Sequence, residues 1–210
     1  MLPRIYLAGP DVFLPDAAEM GDRKKRLCAK YGFEGVYPMD SEADLDGLSS
    51  RDAALRIGAL NHDLIAGCDA VVAHVTPFRG PSADVGTVYE MGYGAGVGLI
   101  VCAYTNVAVD FTKRTAEFLR GNVHRASDGR LRDADGMAIE NWQLVDNLML
   151  ESCVVRSGGH LVLHAAAADE VFTSLQGFEE CLRLLREGNT LRRVTERTAR
   201  NRSAKPVREV

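Results

Sequence analysis

Short apolar runs alternate with amphipathic stretches along the first half of the chain. Ile5 to Ala8 predicts a first strand, ended by Gly9-Pro10. Ala17 to Tyr31 has helical character. Met20, Leu27 and Tyr31 fall on its inward face, and Arg23, Lys24, Lys25 and Arg26 on its outward face. Phe33 to Tyr37 predicts a second strand, stopped by Pro38. Ser50 is placed to cap a helix from Arg51 to about Ile65, in which Leu55, Ile57, Leu60 and Leu64 recur at helical spacing. Ala70 to Val75 is a near-continuous apolar run, as in a strand buried on both faces. Val85 to Val97 predicts a helix and Leu99 to Tyr104 a fourth strand. This βαβα rhythm implies an α/β fold: a flavodoxin-like, doubly wound parallel sheet of about five strands with helices on both faces.

Beyond residue 104 the pattern weakens. Residues 105–141 are polar and carry the turn signals Ser127-Asp128-Gly129 and Asp135-Gly136, so they predict an irregular excursion or a lid. Trp142 to Leu150 regains an apolar pattern, His160 to His164 fits a fifth strand, and Phe172 to Glu187 fits a last helix. Residues 1–188 are then one domain. Residues 189–210 carry seven Lys/Arg and two Asp/Glu, and predict a basic tail that is disordered or docked on a neighbour.

Composition narrows the class. Apolar residues make up 46% of the 210 and charged residues 26%, as in an ordinary globular domain. A net charge of −4 gives no general attraction to nucleic acid or anionic membrane, so neither is an expected partner. The five cysteines are scattered and form no CxxC pair, and Cys68 and Cys102 sit in apolar runs as buried thiols. The first residues are too short for a signal core and run straight into a strand, so a cytoplasmic protein is expected.

In a parallel α/β sheet, ligands bind at the carboxyl ends of the strands. Three loops leave such ends here: Gly9-Pro10-Asp11-Val12-Phe13, Pro38-Met39-Asp40, and residues 76–84. The third is the richest, because Arg79 and Asp84 precede the helix that bears Glu90. Each candidate has a bland alternative. Asp84 is placed to cap a helix, Glu90 to lie exposed on one, and Arg79 to be a solvated loop cation or a phosphate ligand. Val88, Tyr89, Met91 and Tyr93 around Glu90 argue for a mostly buried helix, which favours a functional carboxylate. Gly92, Gly94, Gly96 and Gly98 close a helix rather than open one, so close packing accounts for them better than a dinucleotide fingerprint. His160 and His164 lack a carboxylate partner in their run and read as structural rather than as metal ligands. No metal and no cofactor is expected.

Five motifs, in order, resemble those of the nucleoside 2-deoxyribosyltransferases. They are Ile5-Tyr6-Leu7-Ala8-Gly9-Pro10-Asp11-Val12-Phe13, Asn61-His62-Asp63-Leu64, Cys68-Asp69-Ala70-Val71, Asp84 to Gly92, and Asp146-Asn147-Leu148-Met149-Leu150. The loop Pro77-Phe78-Arg79-Gly80 is similar to that of the trypanosomatid branch. The likeness runs through residues 3–104 and returns at 142–187. It implies Glu90 as nucleophile and Tyr6 as the hydroxyl that orients it. It implies Asp84 and Asp63 as contacts to the base that help protonate it. It also implies Asn147, lent by a neighbouring subunit, as the contact to the sugar 5′-hydroxyl, and Phe13 as a stacking surface beside Gly9. The partners implied are a deoxynucleoside, a free nucleobase and further copies of the chain sharing active sites.

Residue chemistry agrees with that likeness. A carboxylate can trap the oxocarbenium-like C1′ as an ester, and a second base attacking from the vacated face retains configuration. The alternative is a hydrolase of deoxynucleoside 5′-monophosphates with water as acceptor. Asp146 beside Asn147 suits a hydroxyl and repels phosphate, whereas Arg79 suits phosphate. A non-catalytic nucleotide-binding module is the third reading.

Overall fold

The computed structural model describes residues 2–40 and 44–188; the predicted basic tail lies outside the described residues. Seven strands and six helices are present among them: β1 (Arg4–Ala8), α1 (Ala17–Lys30), β2 (Glu34–Val36), α2 (Ser50–Ala66), β3 (Ala70–His74), α3 (Val85–Gly96), β4 (Ile100–Thr105), α4 (Phe111–Phe118), β5 (Val123–Arg125), β6 (Leu131–Asp133), α5 (Leu148–Ser157), β7 (Leu161–Leu163) and α6 (Gln176–Glu187). Five strands form one parallel sheet in the order β2-β1-β3-β4-β7. This is the flavodoxin-like order, with its switch point between β1 and β3.

Strand alternation divides the core into two layers. Ile5, Leu7, Val72, Ile100 and Cys102 face α1 and α6, packing on Cys28, Phe178, Cys181 and Leu182. Tyr6, Ala8, Val71, Ala73, Val101 and Ala103 face the other way, onto Ile65, Met91, Leu150 and Val154 of α2, α3 and α5. Cys68 and Cys102 are buried thiols, as their apolar runs predict.

Several expectations are corrected. Residues 105–141 are not irregular: Asp110 caps α4, and β5 and β6 form an antiparallel hairpin. The polar pattern hid this because the segment is anchored largely by polar contacts, from Arg114 and from Glu140. The nearly buried Arg114 donates to the carbonyls of Pro81 (2.9 Å), Val109 (2.8 Å) and Val145 (2.5 Å). Ser49 rather than Ser50 caps α2, its hydroxyl accepting from the Asp52 N–H at 3.1 Å. Helix α5 begins only at Leu148, and α6 begins at Gln176. Lys24, placed outward by the charge run, is fully buried. Leu55 and Ile57 of α2, placed inward, are exposed. His160 and His164 bracket the short strand β7, so they do not share a helical face.

Of Gly92, Gly94, Gly96 and Gly98, only Gly94 is a packing device, since a Cβ there would meet Val71 Cγ2 at 2.7 Å. Gly98 adopts φ +89°, which favours glycine, and Gly92 and Gly96 face open space.

Candidate active site

The loops after β1 and β3 part at the switch point, and the residues of the first and fourth motifs meet beneath them. Tyr6 lies in the middle of β1 on the face that α3 covers. Its hydroxyl donates to Glu90 Oε1 at 2.7 Å. Burial raises the Tyr6 pKa, and the neighbouring Glu90 carboxylate raises it further, so the phenol stays a donor. Burial also dominates at Glu90 and pushes its pKa up to about 7. The Tyr6 hydrogen bond pulls the other way, and the nearby charge of Asp84 adds to the rise. Glu90 Oε2 has no protein partner among the described residues. One oxygen is therefore fixed, and the other is available to an electrophile.

Asp84 is the helix cap that the sequence offered, and it caps with one oxygen only. Its Oδ2 caps α3, accepting from the Thr87 N–H at 2.9 Å and the Thr87 hydroxyl at 3.0 Å. Its Oδ1 carries no partner among the described residues. The helix around Glu90 is less buried than its apolar neighbours predict: Val85 is 83% exposed and Tyr89 58%.

Phe13 ends the 3-10 turn that follows β1, and stacks on Phe78 with ring centroids 5.4 Å apart and planes 10° from parallel. The Arg79 guanidinium lies over both rings, 5.1 Å from Phe13 and 4.6 Å from Phe78. Arg79 adopts φ 56°, a left-handed backbone that is uncommon for a residue with a side chain. Gly9 is required by close approach, since a Cβ there would lie 2.5 Å from Asp11 Oδ2 and 2.8 Å from His74 Cβ.

Three predicted residues stand elsewhere. Asp63 is exposed in the last turn of α2, and the structure does not bring it against Glu90 or Asp84. Its neighbour His62 is the residue that meets α3, through the Tyr89 hydroxyl at 2.7 Å and the Tyr93 ring at 4.7 Å. Asp146 is held by its own chain. It is buried and accepts from Ser82 Oγ (2.5 Å), the Ala83 N–H (3.0 Å) and the Asn147 N–H (2.8 Å), and it pairs with Arg114 at 3.3 Å. Its carboxylate ties the Ser82 to Ala83 loop to the head of α5. Asn147 caps α5 through its Oδ1, and its Nδ2 donates to Glu140 Oε1 at 2.6 Å. It makes no contact with Glu90 of its own chain.

His74, Thr76, Asn106, Arg114 and Glu140 carry no motif in the sequence, and Lys24 reads there as an outward charge. A lone histidine inside a continuous apolar strand was the one signal available for this group; a buried lysine in a charge run gave none.

The family model of nucleoside 2-deoxyribosyltransferases matches residues 5–149. An uncharacterised protein of Schizosaccharomyces pombe is 27% identical over 185 residues, which covers 83% of this chain and 88% of that protein. Among solved structures, the 2-desoxiribosyltransferase of Leishmania mexicana is 27% identical with a TM-score of 0.58, covering 88% of this chain and 97% of its own. A conserved protein of Enterococcus faecalis shares the fold at 17% identity and a TM-score of 0.52, covering 87% and 98%. With the ordered motifs, the sheet order and a match over most of the chain in agreement, the chain belongs to the nucleoside 2-deoxyribosyltransferase family.

Proposed function

We propose that this protein moves 2-deoxyribose between nucleobases by a retaining double displacement through an ester of Glu90. The observation that carries the reading is the Tyr6–Glu90 pair, with one carboxylate oxygen held at 2.7 Å and the other unpartnered. Ionised Glu90 attacks C1′ as the bond to the base nitrogen breaks. The electron pair leaves with the base, which takes a proton from Asp84 or from a water held by its free Oδ1. A second base then attacks C1′, breaks the ester and gives up its proton to the group that protonated the first base. Glu90 returns as a carboxylate, and configuration is retained. Phe13 offers the leaving and entering bases a stacking surface.

Asn147 serves the 5′-hydroxyl of a neighbour's substrate, so the enzyme works as a homo-oligomer. Support comes from the exposed apolar side chains on the α2, α3 and α5 layer, among them Leu55, Tyr89, Met149 and Val155. Between α3 and α5 lies an open groove of about 420 Å³ lined by Met91, Met149 and Cys153.

A second reading is hydrolysis of deoxynucleoside 5′-monophosphates. It gains weight because Asp146 is occupied internally and Arg79 presents an exposed guanidinium with no carboxylate partner among the described residues. Incubation with deoxyinosine plus adenine, and separately with deoxyinosine 5′-monophosphate, followed by chromatography, separates the readings. New deoxyadenosine establishes transfer. Hypoxanthine released from the monophosphate alone establishes the hydrolase, and no change in either favours a binding module.

A further inference from the structure

The sheet face opposite Glu90 carries a buried polar chain that the proposed chemistry does not use. Lys24 of α1, Asp11 of the first loop, His74 at the end of β3, and Thr76 and Asn106 just beyond β3 and β4 are each at most 1% exposed. Lys24 Nζ donates to Asp11 Oδ2, and His74 Nδ1 lies 2.8 Å from Asp11 Oδ1. Burial alone would raise the Asp11 pKa, but Lys24 and His74 outweigh it and hold the carboxyl below the usual range. An ionised carboxylate only accepts, so the ring proton sits on Nδ1 and Nε2 accepts from the Thr76 hydroxyl at 2.7 Å. Thr76 Oγ1 accepts in turn from the Asn106 N–H at 2.9 Å. Asn106 Nδ2 donates to the carbonyls of Val171 (2.9 Å) and Ser174 (3.0 Å). Each of these links has one donor direction, and only Asn106 Oδ1 in the network is a buried oxygen without a partner among the described residues.

The chain ties together four segments that are far apart in sequence. Three of them carry the aromatic rim at the mouth of the site: Phe13, Phe78 and Phe172. Phe78 meets Phe172 edge-on with centroids 5.9 Å apart, and the His74 ring lies 6.2 Å from Phe172 while stacking on Tyr104 at 4.4 Å. Strand alternation puts His74 on the α1 and α6 face, whereas Tyr6 and Glu90 occupy the other. Whatever this network does for turnover, it does through the loops.

We propose that the chain Lys24–Asp11–His74–Thr76–Asn106 is a positioning device for the aromatic rim of the nucleobase subsite, setting base affinity without touching the chemistry at Glu90. The proposal rests on the transferase reading above.

Thr76→Val removes the connecting hydroxyl and keeps the side-chain shape; Thr76→Ser keeps the hydroxyl. In exchange between deoxyinosine and varied adenine, Thr76→Val should raise the KM for adenine about tenfold with kcat changed less than about twofold, and Thr76→Ser should restore both. Hydrogen–deuterium exchange on the same proteins should quicken at residues 11–14, 77–82 and 171–175 and stay unchanged in α3. A fall in kcat at constant KM overturns the proposal, as does an unaltered KM. Should Thr76→Val not fold, Asn106→Ala leaves the charged pair intact and must give the same KM rise, with faster exchange at 171–175. Wild-type protein that neither exchanges bases nor binds adenine by calorimetry refutes the transferase reading and the base-affinity claim with it. That result is recognisable because it precedes any substitution.

Discussion

Glu90 is asked to be ionised for attack in a place that disfavours its charge. With its pKa pushed up to about 7, the acid limb of kcat/KM should fall near that value. Tyr6→Phe removes the one hydrogen bond that lowers the Glu90 pKa. The limb should then move up by about one pH unit, with a lower rate at neutrality, as a pH–rate profile would show. A limb that stays in place would mean that Tyr6 does not tune the carboxylate. Glu90→Gln should reduce transfer and hydrolysis at least about a thousandfold. It should also alter stability in a defined direction. A carboxyl whose pKa is higher folded than unfolded favours the fold when protonated and disfavours it when ionised. That disadvantage is absent below about pH 4.5, grows as pH rises, and is complete above about 7. The Gln variant should therefore match wild type in urea unfolding at pH 4.5 and exceed it by about 1 to 3 kcal/mol at pH 8.

At the scale of elements, α3 must lie close enough to β1 for a tyrosine and a glutamate to meet. Gly94 permits this, with Val71 pressed against the space a Cβ would fill. Gly94→Ala should destabilise the fold by about 1 to 3 kcal/mol and lower activity, because Val71 is buried and β-branched and has nowhere to move. Gly96→Ala meets no atom and should be neutral or stabilise by up to about 1 kcal/mol. Denaturant titration of the two variants checks both signs. The sheet strands and α1 to α3 were legible because fully apolar runs and helical spacing are local signals. The helix α4 was not, since Arg114 ties it to the carbonyls of Pro81 and Val145, more than thirty residues away on either side, which leaves no local signal.

For the whole molecule, the exposed apolar layer and the absence of a hydrogen bond between Asn147 and Glu90 among the described residues lead to one expectation. Glu90→Ala and Asn147→Ala should each be inactive alone. Unfolded together and refolded as a mixture, they should regain about a quarter of wild-type activity if the active unit is a dimer, because half the molecules then hold one intact site of two. No recovery in a mixture shown by sedimentation to contain mixed oligomers would place Asn147 outside the neighbour's site. The inward positions expected for Leu55 and Ile57 failed for a related reason. Helical spacing marks an apolar face without saying what covers it, and the described residues of one protomer leave Leu55 and Ile57 exposed.

The sequence by itself determined the sheet and its doubly wound helices, which follow from short-range periodicity, and its resemblance to a known family implied the group of Tyr6, Asp84 and Glu90. Only the tertiary structure decided what each polar group is spent on. Asp146 and Asp63 look alike as acids in motifs, yet one is consumed by Ser82, Ala83 and Arg114, and the other faces outward. Lys24 sits among charges that reach solvent, yet it is drawn inside because Asp11 and His74 wait there. A side chain's partner is set by which segments the fold brings together, and that pairing leaves no mark on the spacing of residues along the chain.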